Sequence, residues 1–142
     1  MRVVLDASAA LEIVFERPFC ELVLDTLMAS ETVLAPSLYR AEVGNALWKS
    51  VKVGESTLEM AQDYYDSAMR LVKEFADTKV LTPAAMRWAC NLGHPIYDMY
   101  YLVLADRFDA HLVSLDKRLN QLAKEQGLYP VSFARYSGDK VW

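Results

Sequence analysis

Met1-Arg2-Val3-Val4-Leu5-Asp6-Ala7-Ser8 opens the chain. Val3 to Leu5 is a short run, apolar at every position, and it ends at an acid. A strand that is apolar throughout, rather than at alternate positions, is covered on both faces, as in parallel sheets with helices on either side. Thr32 to Ala35, Lys79 to Leu81 and His111 to Ser114 read as further strands, with Pro130 to Ser132 as a short last one. Helical windows separate them. Ser8 caps a helix to Phe15, a second covers Phe19 to Met28, and Pro36 in a first turn opens a third to Val51. Glu55 to Phe75 shows helical spacing, Pro83 opens a helix to Asn91, Ile96 to Phe108 is apolar nearly all round, and Asp116 to Gln126 is the last. Strands alternating with helices predict an α/β fold: a three-layer α/β/α sandwich with a four- or five-stranded parallel sheet, as one domain over 1–142. Open sheets of this kind bind ligands beyond the carboxyl ends of their strands.

The composition narrows the function classes. Hydrophobic residues make up 54% of the 142 positions, which excludes an intrinsically disordered chain. Nineteen acids against fifteen Lys and Arg give a net charge of −4, which argues against a broad basic face coating nucleic acid. Cys20 and Cys90 stand far apart without CxxC or Cys/His spacing, so two buried thiols are expected rather than a disulfide or a zinc site. Asp6 interrupts the first apolar run too early for a secretory signal, and no uncharged stretch is long enough to span a bilayer. A cytoplasmic protein is expected.

Four acids stand out. Asp6 ends the first strand, and Asp116 follows the His111 to Ser114 strand. Asp98 opens the apolar helix in Tyr-Asp-Met-Tyr-Tyr-Leu-Val-Leu-Ala, and Glu42 lies in Arg-Ala-Glu-Val-Gly-Asn-Ala-Leu-Trp. Each also has a structural reading. Asp98 suits a helix's first turn, Asp116 suits a cap, and Glu42 has Lys49 or Arg118 as ion-pair candidates. Asp6, at the carboxyl end of a buried strand, has no such task. If the four converge at one sheet edge, they repel unless a cation is present. An oxygen-only ligand set favours Mg²⁺ or Mn²⁺ over zinc, and such ions assist phosphodiester hydrolysis.

Val-Val-Leu-Asp-Ala-Ser, Ala-Glu-Val-Gly-Asn-Ala-Leu, Tyr-Asp-Met-Tyr-Tyr-Leu-Val-Leu-Ala and Leu-Val-Ser-Leu-Asp-Lys-Arg-Leu occur in the order found in PIN-domain ribonucleases. The chain resembles this family from Met1 to about Val131, and within it the small VapC-type toxins of toxin–antitoxin pairs. The resemblance implies a Mg²⁺- or Mn²⁺-dependent endoribonuclease whose catalytic, metal-binding acids are Asp6, Glu42, Asp98 and Asp116. It implies supporting roles for Ser8, Asn45 and Ser114, the last standing where the family more often has threonine. It further implies an RNA substrate, homodimers and a small antitoxin protein as partner. Hydrolysis by water, leaving a 5′-phosphate and a 3′-hydroxyl, is expected. Lys117 and Arg118 beside Asp116, and Arg40 near Glu42, are candidate RNA contacts.

Two other α/β classes place a reactive Asp after the first strand. Haloacid-dehalogenase-like phosphatases need a second Asp two residues on, where this chain has Ser8. A phospho-accepting receiver domain needs a lysine after its last strand and a central accepting Asp, and neither class accounts for Glu42 and Asp98. A PIN-like protein-binding module without turnover is the remaining alternative. Setting the four acids aside leaves fifteen acids against fifteen basic residues, so the whole net charge falls on one predicted metal site. The charge then speaks for a metal rather than against nucleic acid.

Overall fold

The structure is a computed structural model and describes residues 1–133; Trp142 and the rest of the tail lie outside them. Five parallel strands form one sheet in the order β3-β2-β1-β4-β5: β1 (Arg2–Leu5), β2 (Thr32–Pro36), β3 (Glu74–Ala76), β4 (His111–Val113) and β5 (Tyr129–Pro130). Val4 pairs with Leu34 on one side and with Leu112 on the other, so β1 is central. The helices are α1 (Ala7–Val14), α2 (Cys20–Met28), α3 (Leu38–Lys52), α4 (Leu58–Arg70), α5 (Thr78–Leu92), α6 (Ile96–Phe108) and α7 (Lys117–Glu125).

Strand alternation divides the core into two layers. Val3, Leu5, Val33, Ala35 and Val113 face α1 to α4, packing on Ala9, Val23, Tyr39 and Val43. Val4, Leu34 and Leu112 face α5 to α7, against Leu81, Leu102, Leu104 and Leu119. The expected three-layer sandwich is therefore present, with five strands. α6 contributes a continuous buried run from Tyr101 to Ala105, the enclosure its apolar composition demanded.

Several boundaries differ from the sequence expectation. The third strand is Glu74–Ala76, while Lys79, Val80 and Leu81 are helical in α5. The Asp77 carboxylate accepts from the Lys79 amide at 2.9 Å and starts the helix there, with Val80 turned to solvent. Pro83 lies inside α5 instead of opening it, and α4 stops at Arg70, freeing Phe75 for β3. Pro36 is the last residue of β2, paired with Ala76. Ser8 is not a cap: α1 begins at Ala7, and the Asp6 carbonyl accepts its first amides. Both cysteines are free, but neither is fully buried as expected: Cys20 is half-buried, and Cys90 is exposed because it falls on the outer face of α5. Among the described residues, no helix is long and apolar enough to cross a membrane.

Candidate active site

β1 and β4 end side by side, and their carboxyl ends carry the centre of the site. Asp6 precedes α1 as its N-terminal flanking residue, yet its side chain caps nothing. Instead Oδ2 accepts from Ser8 Oγ at 2.6 Å and from Ser114 Oγ at 2.7 Å. No hydrogen bond among the described residues reaches Oδ1. The two hydroxyls are held in turn. Leu115 N donates to Ser8 Oγ at 3.0 Å, and Asp116 N donates to Ser114 Oγ at 3.0 Å. The carboxylate is buried, and that burial pushes its pKa up, only partly offset by the serine bonds; Asp116 and Asp98 push it further.

Glu42 projects from α3 on the opposite side of the crevice. Tyr101 Oη, itself buried on α6, donates to Glu42 Oε1 at 2.5 Å. Burial raises this carboxyl to about 7 against the bond from Tyr101, with Asp6, Asp98 and Asp116 adding repulsion. Asp98 stands in the first turn of α6, delivered there by the turn at Gly93, whose positive φ of 61° suits a residue without a side chain. Burial and Asp116 raise its pKa, while His94, whose Nε2 lies 3.5 Å from Oδ2, and Arg118 lower it. Asp116 is exposed and caps α7, accepting from Arg118 N at 2.9 Å and Leu119 N at 3.1 Å. The cap uses only one oxygen of the Asp116 carboxylate and leaves the other unbonded among the described residues.

The four acids therefore form one electrostatic cluster drawn from β1, α3, α6 and the β4–α7 connection. Ser8 and Ser114 belong to it directly. Asn45 is exposed one turn after Glu42, with no hydrogen bond to it. Lys117 and Arg118 are exposed in the first turn of α7, and Arg118 acts on Asp98. Arg40, two residues before Glu42 and so about 200° around the helix, stacks its guanidinium over Phe75 at 3.9 Å instead of facing the acids. Sequence reasoning missed Tyr101. Its signal was a phenol in the buried run of α6 from Tyr101 to Ala105, which requires a hydrogen-bond partner.

The donor set suits a hard divalent cation: four carboxylates, no thiolate, and an Asp6 Oδ1 that the surrounding hydrogen bonds leave available. Among the described residues, no three His, Cys, Asp or Glu side chains stand together as a ready-made ion cage. An ion that takes one or two carboxylates and fills its remaining positions with water and substrate oxygen fits that arrangement, as Mg²⁺ does.

This sheet order and acidic crevice define a PIN-type nuclease fold. The PIN-domain family model matches residues 3–125, and the chain belongs to the PIN-domain family. It is 30% identical over 118 residues to ribonuclease VapC1 of Mycobacterium tuberculosis, in two strains, covering 82% of this chain and 86% of the relative. Among solved structures it is similar to PAE2754 from Pyrobaculum aerophilum, with a TM-score of 0.70 and 26% identity over 92% of each chain. In fold it is also similar to VapBC2 from Rickettsia felis, solved bound to a DNA fragment from their promoter. That likeness has a TM-score of 0.66 and 17% identity, covering 92% of this chain and 98% of the other.

Proposed function

We propose that this PIN-like domain is a Mg²⁺- or Mn²⁺-dependent endoribonuclease and the toxin of a toxin–antitoxin pair. The observation that carries the reading is Asp6: a buried carboxylate at a strand end, spent on no cap, bonded through one oxygen only and set among three other acids. Similarity to a VapC ribonuclease supplies the substrate class.

Asp6 and Asp98 would hold the principal ion, with Glu42 and Asp116 completing the site. When bound, the ion neutralises the clustered charge and makes water acidic enough to act as a nucleophile near neutral pH. Ser8 and Ser114 orient Asp6 so that Oδ1 faces the crevice. Glu42, whose carboxyl burial raises to about 7 in the metal-free chain, is the candidate to take up the proton of the attacking water. Water adds to phosphorus as the bond to the 3′ oxygen breaks, leaving a 5′-phosphate and a 3′-hydroxyl without use of the ribose 2′-hydroxyl. Lys117 and Arg118 at the rim are placed to meet RNA phosphates. A cytoplasmic homodimer inhibited by a small antitoxin completes the reading.

Incubation of the pure chain with diverse RNAs in Mg²⁺ or in EDTA tests it. Cleavage is expected in Mg²⁺ only, and Asp6→Asn should lower the rate by at least about 100-fold. Wild-type cleavage by that variant would sink the site assignment. No cleavage of any RNA by the parent chain would make the protein a binding module.

A further inference from the structure

Beside the acid cluster lies a second concavity, a cleft of about 720 Å³ between α7 and the segment around β5. Lys117, Arg118, Asn120 and Lys124 form one wall, and Pro130 and Val131 face them. Helical spacing explains the wall. Lys117, Asn120 and Lys124 recur at i, i+3 and i+7 on one face, while Leu119 and Ala123 are buried on the other. Among the described residues the lining holds three cations and no acid, in a chain whose net charge is −4. Glu125 is engaged outside it by Gln121 Nε2 at 3.1 Å.

The cleft adjoins the acids through two residues. Arg118 lines it and also acts on Asp98. Asn120 Nδ2 donates to the Ser114 carbonyl at 2.9 Å, and Ser114 is the residue whose hydroxyl holds Asp6. Asn120 Oδ1 is buried and accepts from no group among the described residues, an acceptor left over at the edge of the cleft.

Resting on the nuclease reading above, we infer that this cleft is a subsite for the single-stranded RNA substrate, holding its backbone beside the bond that is cut. Lys117 and Lys124 are about 10.5 Å apart along the helix at 1.5 Å per residue. That exceeds one step between neighbouring phosphates of an extended single strand, so both ammonium groups can engage the same backbone. Their ammonium groups meet two phosphates of one strand, and Pro130 with Val131 offers an apolar floor to ribose and base. Cations in the cleft attract an acidic peptide or a phosphate backbone alike, but the adjoining acid cluster, which the nuclease reading fills with a divalent ion, favours a strand whose phosphates also meet that ion. A polyphosphate strand needs both halves, cations along its backbone and the acid cluster at the reacting bond.

The test is fluorescence anisotropy with a labelled single-stranded RNA decamer, titrated with full-length Asp6→Asn protein in Mg²⁺ at several salt concentrations. Adding Lys117→Ala with Lys124→Ala is expected to weaken binding about 25-fold at 0.1 M salt, and to reduce the logarithmic salt slope by about 1.4. Lys79→Ala with Arg87→Ala, which removes the same charge from exposed positions on α5, is expected to change affinity less than about twofold. Unchanged binding in the α7 pair, or equal loss in both pairs, overturns the subsite. So does polyglutamate binding that matches RNA in affinity and disappears with the α7 pair, which would give the cleft to a protein partner. Parent-chain cleavage of RNA alongside unaltered binding by the α7 pair removes the subsite and keeps the nuclease. RNA held in the cleft without any cleavage keeps the subsite and removes the nuclease.

Discussion

Tyr101 carries a single polar atom into the core, and that atom is spent on Glu42. The bond favours the charged carboxylate and so holds its pKa below where burial alone would place it, at about 7. Tyr101→Phe removes the donor without changing the packing volume, at a cost of about 1 kcal/mol of stability. The pH at which RNA cleavage reaches half its maximum is expected to move upward, because Glu42 loses the group that stabilises its ionised form. An unmoved pH–rate profile would separate Glu42 from the titration that limits activity. Asp6 was legible at this scale because an acid ending a buried strand has no structural use. Tyr101 was not, since a tyrosine's place in a helix says nothing of which carboxylate lies across the crevice.

At the scale of elements, caps decided what propensity left open. Lys79-Val80-Leu81 carries strand-like composition, yet Asp77 starts a helix there, and the strand forms instead from Glu74 to Ala76 by pairing with β2. α4 begins the same way: Thr57 Oγ1 accepts from Met60 N at 3.1 Å. Thr57→Ala should destabilise the protein by about 1 kcal/mol, with cleavage activity retained, because α4 carries none of the four acids. Chemical denaturation and an RNA assay on the same preparation check both parts. A loss of activity at full stability would tie α4 to the site in a way its position does not suggest.

For the whole molecule, the acids of the candidate site also work against the fold. Glu42, Asp6 and Asp98 all have pKa values raised by burial and mutual repulsion. The folded state thus keeps protons that the unfolded chain has already released. For Glu42 that window runs from its ordinary 4.5 to about 7. Stability conferred below it is lost as pH rises through it. In EDTA, Tm is therefore expected to fall between pH 5 and 7. Mg²⁺ at 100 times its Kd should add about 2.7 kcal/mol and flatten that fall. Thermal melts at several pH values with and without metal read both, and a Tm that climbs from pH 5 to 7 in EDTA would contradict the charge cluster.

The sequence by itself determined the layered α/β class and the parallel sheet, and it singled out the four acids proposed as the site. Those rest on local signals: unbroken apolar runs, helical spacing, and acids where a structural task is missing. Only the tertiary structure decided which strand lies third, that Tyr101 meets Glu42, and that Ser8 and Ser114 close on one oxygen of Asp6. Ser114 stands 108 positions from Asp6, and Tyr101 stands 59 from Glu42. Pairings at such separations follow from sheet order and from how helices pack across it, which no window of the chain contains.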